Sequence, residues 1–279
     1  MINHYIPLSL MNALDIMAAH DCYVMAGGTD LMLQKHRSSG LLPTFDKDVI
    51  YVSNISELNY ITKETRGVHI GACVKYSDVL KSNVIPNILK DAVSEIASPN
   101  IRNMATLIGN IGNASPAGDT LPVLYILNAI VVLGSKAGKR EVPIKDFIVG
   151  VRKTIRRSDE LIIEIIIPPF DGQCSWTKVG SRAAETISKV SFVGLYKISN
   201  GIISDLRIAF GSVGVTVKRS EDIEKKYIGM TKPQIIKQLK NILKDYGELI
   251  DPIDDHRSTK KYRAQVAMNM LGKFIRGIK

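Results

Sequence analysis

The chain has 279 residues, 45% of them hydrophobic, which suits a folded protein with a real core and excludes a disordered or fibrous one. Its formal charge of +10 does not read as nucleic-acid binding. Aromatic residues make up only 6%, and the basic residues from Lys218 onward are mixed with apolar ones at helical spacing, as on a solvated helix face that an acidic partner subunit could meet.

No apolar run approaches the roughly 18–20 residues that span a bilayer. No Lys or Arg precedes Lys35, so the start lacks the basic region of a signal or transit peptide. Cys22, Cys73 and Cys174 are far apart and form no CxxC or CxxH pair, which argues against a metal centre or a disulfide framework built by this chain. The chain reads as cytoplasmic, with no membrane contact and no metal of its own.

Ser9 caps a first predicted helix in which Leu10, Ala13, Leu14, Met17 and Ala18 recur at helical spacing. A short strand from Cys22 to Ala26 leads into a Gly27-Gly28-Thr29-Asp30 turn, and Asp30 can open a helix through Leu31 to Leu33 toward His36. Strands are expected at Val49–Val52 and Val68–Ile70, and helices at Ser77–Leu80 and Asn87–Ile96. A polar, glycine-bearing stretch, read as a loop, runs from Ser98 to Asp119. Leu121 to Ala129 reads as a helix, and Ile130–Leu133 and Leu161–Ile167 as strands. The run from Pro168 to Gly172 marks the best boundary between domains. Beyond it come strands near Trp176–Val179, Ser191–Ile198 and Leu206–Phe210, then helices at Pro233–Tyr246 and Ser258–Ile275. Strands and helices do not alternate regularly, so the class is α+β.

Two stretches have the make-up of a phosphate-binding backbone: Ala26-Gly-Gly-Thr-Asp30, and Gly109-Asn-Ile-Gly-Asn-Ala-Ser-Pro-Ala-Gly-Asp119. Glycine lets a ligand approach the backbone closely, and Ser, Thr and Asn add short donors. Neither matches GxGxxG, which disfavours a Rossmann site. Gly134-Ser-Lys-Ala-Gly138-Lys139 is one residue short of a P-loop and has Arg140 in place of Ser or Thr, so it reads as a hairpin turn. No serine sits in a nucleophile elbow and the five histidines show no ligand spacing, so no catalytic side chain stands out.

Taken in order, three stretches resemble the flavoprotein subunits of the molybdenum hydroxylases (xanthine dehydrogenase and carbon monoxide dehydrogenase type). Val24-Met-Ala-Gly-Gly-Thr-Asp-Leu31 is similar to the first FAD loop of that family. Ser98 to Thr106 followed by Leu107-Ile-Gly-Asn-Ile-Gly-Asn-Ala-Ser-Pro-Ala-Gly-Asp119 is similar to the second, with a wording closer to the xanthine dehydrogenase branch. Trp176-Thr-Lys-Val-Gly-Ser-Arg182 with Ile187-Ser-Lys-Val190 is similar to a third signature, and Ser258–Arg263 to the end of the C-terminal lobe. One departure is Ile108-Gly109-Asn110, where the family usually has Gly-Gly-Asn.

The resemblance implies a two-subdomain FAD-binding fold of the PCMH/vanillyl-alcohol-oxidase type over residues 1–170, with a subdomain boundary near 55–60, plus a C-terminal α+β lobe over 171–279. FAD would lie extended between the two subdomains, with the lobe over the flavin. Residue by residue, it gives Val24, Met25, Ala26, Gly27, Gly28, Thr29, Asp30 and Leu31, with Gly109, Asn110, Ile111, Gly112 and Asn113, to the pyrophosphate and its neighbours. Thr106 would donate a hydroxyl hydrogen bond, Asp119 would accept from cofactor hydroxyls, and Ile96 and Ile162 would pack against the rings. Lys178 would approach the flavin and favour its reduced form.

The implied role is an electron-transfer subunit. Substrate would be hydroxylated at a molybdopterin centre in a large partner subunit. Electrons would cross [2Fe–2S] clusters in a small one, reach this FAD and leave for NAD+ or another acceptor. Two alternatives remain open at this level: a self-contained flavin oxidase or reductase of the same fold, and a scaffold that has lost FAD.

Overall fold

A computed structural model describes residues 2–36, 38 and 41–279. The chain divides into two compact units. The first takes the chain up to Ile85, Ala97–Ala114 and Asn128–Pro169, and the second takes Pro86–Ile96, Ser115–Leu127 and Phe170–Lys279. Both combine helices and sheets.

The first unit holds a three-stranded parallel sheet, in the order His4–Tyr5, Asp48–Tyr51, Cys22–Met25. The predicted first helix is Leu10–Ala19; Ser9 Oγ accepts from the N–H of Asn12 at 3.2 Å, and Ala13, Leu14 and Met17 are buried. Chain between Tyr51 and Ile61 leads to a five-stranded antiparallel sheet, in the order Ile61–Glu64, Gly67–Gly71, Leu161–Ile167, Ile130–Ser135, Gly138–Pro143. Strand Leu161–Ile167 lies in its middle, which is why it reads as a near-continuous apolar run. Its one charged residue, Glu164, is paired with His69 on the neighbouring strand. Ser135 pairs with Gly138, so the Gly134–Gly138 stretch is a hairpin turn, as its spacing suggested.

The second unit is built on a four-stranded antiparallel sheet, Gln173–Val179, Val190–Ser199, Ile202–Gly211 and Lys218–Arg219, in chain order. The helix Lys260–Arg276 packs on strand Val190–Ser199. Phe192 lies 5.2 Å from Phe210 and 5.4 Å from Phe274, ring centre to ring centre, and Phe210 lies 5.8 Å from Tyr246. These tilted and edge-on pairs form the centre of the core. Glu224 is buried in it, bonded to Arg219 and to the N–H of Ile208.

Two expectations change here. The single helix expected over Pro233–Tyr246 is two, Lys232–Lys237 and Leu239–Leu249. Gln238 between them has ψ near 1°, and its N–H is shared between the Gln234 carbonyl and nearer ones, so the regular helical geometry is disturbed there. The last helix, expected over Ser258–Ile275, runs over Lys260–Arg276 and is capped by Thr259, whose Oγ1 accepts from Tyr262 N. Among the described residues no helix is long and apolar enough to cross a membrane.

Gly194 sits where the Phe274 ring covers the sheet. A Cβ there would lie 2.5 Å from the ring. Gly194→Ala should therefore overpack this core and lower stability by about 1–3 kcal/mol, read as a lower midpoint of urea denaturation.

Candidate functional site

The first glycine stretch leaves the end of strand Cys22–Met25 and runs into the short helix Leu31–Gln34. Met25 is buried, whereas Val24 and Ala26 to Leu31 are half-buried. Gly28 has φ +69°, a left-handed conformation that a glycine adopts at little cost. Gly27 is needed for space: a Cβ on it would lie 2.1 Å from the carbonyl oxygen of Met104. The first turn therefore runs hard against the backbone that leads into the second stretch. Among the described residues, no protein acceptor takes the N–H groups of Gly27, Gly28 and Thr29. Three adjacent backbone donors on a half-exposed, nearly side-chain-free turn form a cradle suited to an anionic group.

The second stretch differs from its sequence reading. Residues 107–113 form a helix, Leu107–Asn113, where a polar loop was expected. Thr106 caps it, with Oγ1 accepting from the N–H of Gly109 at 2.9 Å, and the helix ends at Ala114 with φ +47°. Its helical spacing was hidden by two glycines and two asparagines, residues that favour turns when read locally. Leu107, Ile108 and Ile111 face the core, with Ile108 only 6% exposed. The isoleucine that replaces the family glycine is thus a core residue. Ile162, half-buried, meets the other side: its Cδ1 lies 3.2 Å from where a Cβ on Gly112 would be. Thr106 accepts through its oxygen, which leaves its hydroxyl proton available to donate.

Within the first unit the two stretches are also joined by side chains. Arg152 Nη1 donates to Asp30 Oδ2 at 2.9 Å and to Asn113 Oδ1, and Gln34 Nε2 donates to Asn113 Oδ1 at 2.9 Å and to Asp30. Neither Arg152 nor Gln34 lies in a stretch that the sequence singled out. Two acceptors on separate turns need a donor between them, but sequence distance does not say which cation supplies it.

Asp119, Ile96 and Lys178 belong to the second unit. Lys178 Nζ donates to Asp119 Oδ2 at 2.8 Å and to the Glu95 carbonyl oxygen at 2.8 Å, and Ser188 Oγ donates to Asp119 Oδ1. Both charged side chains are buried, at 4% and 7% exposure. Burial pushes the Asp119 carboxyl above the ordinary carboxylate range, against the pull of Lys178 and Ser188. Sequence reading singled out Asp119 and Lys178 separately; the fold makes them one pair. Ile96 is half-buried and follows the helix Asn87–Ser94.

Residues 1–170 match the family described as the FAD binding domain in molybdopterin dehydrogenase, and residues 176–278 match the CO dehydrogenase flavoprotein C-terminal domain. The chain belongs to this family. It is an FAD-binding medium subunit of the molybdenum hydroxylase type, an oxidoreductase component. The chain is 30% identical over 261 residues to the glyceraldehyde dehydrogenase medium chain of Sulfolobus acidocaldarius, covering 92% of this chain and 91% of the relative. It is 27% identical over 275 residues to the xanthine dehydrogenase FAD-binding subunit of Escherichia coli O157:H7, covering 96% and 92%. A structure of the carbon monoxide dehydrogenase of Hydrogenophaga pseudoflava, in a form lacking the Mo-pyranopterin moiety of its cofactor, includes a chain that superposes with a TM-score of 0.88. Identity there is 25%, over 98% of this chain and 95% of the other. The α+β fold expected from the sequence is the fold of that neighbour.

Lys178→Met leaves Asp119 buried with only Ser188 as partner, and should destabilise the chain by about 3–5 kcal/mol near pH 8. A carboxyl whose folded pKa is raised keeps its stability below the ordinary carboxylate range and loses it as pH rises through the folded value. The penalty should therefore shrink as pH falls toward the ordinary carboxylate range, where the folded state can take up the proton. Urea denaturation of the variant and the parent at several pH values checks both sign and size.

Proposed function

We propose that this subunit relays electrons. It would take them from [2Fe–2S] clusters on a small partner subunit, downstream of a molybdopterin-binding large subunit, and pass them to NAD+ or another acceptor. The observation that carries the reading is the contact between the two glycine stretches, which leaves three unclaimed N–H groups on the first turn beside the capped start of the second. That arrangement fits the diphosphate of FAD. The relatives, a dehydrogenase medium chain and an FAD-binding subunit, support a multi-subunit setting. We place the subunit in the cytoplasm, a setting that three unpaired thiols suit.

When bound, FAD supplies the chemistry of accepting and giving up electrons in pairs or singly. The chain supplies position and electrostatics. The N–H groups of Gly27, Gly28 and Thr29 would hold diphosphate oxygens, with Val24 to Ala26, Asp30 and Leu31 framing the turn. Gly109, Asn110, Ile111, Gly112 and Asn113 would line the second stretch, and the Thr106 hydroxyl would donate at its start. Ile162 and Ile96 would give apolar contact to the rings. Asp119 would accept from cofactor hydroxyls and hold Lys178 in place through the 2.8 Å bond already formed. Lys178 has three N–H bonds and commits two within the protein, which leaves one for a flavin oxygen.

Lys178→Gln keeps a donor for Asp119 and drops the charge. A charge-assisted hydrogen bond is worth about 1.5–3 kcal/mol, so the flavin potential should fall by roughly 30–60 mV for a two-electron couple. An unchanged potential removes Lys178 from this role. The relay itself is tested by reducing the FAD-loaded chain anaerobically and then adding NAD+. Formation of NADH as the flavin reoxidises supports NAD+ as acceptor, and reoxidation only by one-electron acceptors assigns the other branch. Turnover of an alcohol by the isolated chain would instead make it a self-contained oxidase.

A further inference from the structure

Arg152 has φ +55°, a left-handed conformation that a side chain disfavours and a glycine does not. Its N–H donates to the carbonyl oxygen of Ala114 at 3.0 Å, and Ala114, at the end of helix Leu107–Asn113, is itself left-handed with φ +47°. A glycine at 152 would make the same turn with less strain, so the feature held at this cost is the side chain. Its guanidinium reaches Asp30 on the first glycine turn and Asn113 at the end of the second stretch. Side-chain exposure is 43% for Arg152 and 47% for Asp30, so the pair contributes little to overall stability. Asp30 adjoins the turn assigned above to a doubly charged diphosphate, where an uncompensated carboxylate would repel the ligand.

We infer that Arg152 is a positioning residue for FAD: its guanidinium, held between the two glycine stretches, cancels the charge of Asp30 without itself touching the diphosphate. This rests on the FAD reading of those stretches.

The test is the FAD dissociation constant of the full chain at low ionic strength, measured by flavin fluorescence, with the thermal midpoint of the apoprotein recorded alongside. Arg152→Gln should bind FAD about 10-fold more weakly, with a midpoint within about 2 °C of the parent, as for an exposed pair. Arg152→Gly, which relieves the strain and keeps the turn, should be as weak. Arg152→Lys should bind within about 3-fold of the parent, since an ammonium can still serve both acceptors. Removing Asp30 as well decides the mechanism: D30N/R152Q should recover to within about 3-fold of the parent, because no uncompensated charge remains. Parent-like binding by Arg152→Gln or Arg152→Gly overturns the inference, and so does a double variant as weak as Arg152→Gln, which would point to direct contact with the cofactor. A parent chain that takes no FAD would overturn the underlying reading and this inference together.

Discussion

The approach of Gly27 to the carbonyl of Met104 is the constraint on which the candidate site depends. It brings into contact two stretches that are far apart in the chain, and it tolerates no side chain at position 27. Strand pairing on one side and a capped helix on the other fix the two backbones before any ligand enters. A site of this kind is preorganised: its donors need little further ordering, and ordering is what a ligand otherwise spends binding energy on. The parallel sheet that ends in the first turn and the antiparallel sheet that backs Ile162 serve as the frame.

Charge is handled differently in the two units. In the first, Asp30, Asn113, Gln34 and Arg152 form an exposed cluster whose energy is modest and whose geometry links two turns. In the second, Asp119 and Lys178 are buried, so desolvation weighs heavily and each depends on the other. The exposed cluster suits adjustment on binding, and the buried pair suits a fixed field. Neither supplies an acid or base with a substrate to act on, in keeping with a subunit whose chemistry resides in its cofactor.

Much of this was legible in the sequence, for identifiable reasons. Ser9 and the spacing of Ala13, Leu14 and Met17 announced the first helix, because capping and periodicity are local signals. The apolar run Leu161–Ile167 announced a strand, and the short Gly134–Gly138 stretch a hairpin. The second glycine stretch was misread as a loop because glycine and asparagine favour turns locally, whereas burial of Leu107, Ile108 and Ile111 overrides that preference. The break at Gln238 carried no Gly or Pro to mark it. The pairing of Asp119 with Lys178, and the bridge made by Arg152, are contacts between residues remote in the chain, and no local pattern encodes them.

The central claim is that these two stretches hold FAD through its diphosphate. The most direct measurement is the flavin content of the purified chain, by absorption and by identifying what acid releases. The purified chain should carry FAD in equimolar amount, not replaced by riboflavin, which lacks the diphosphate. A colourless chain that fails to take up added FAD would contradict it.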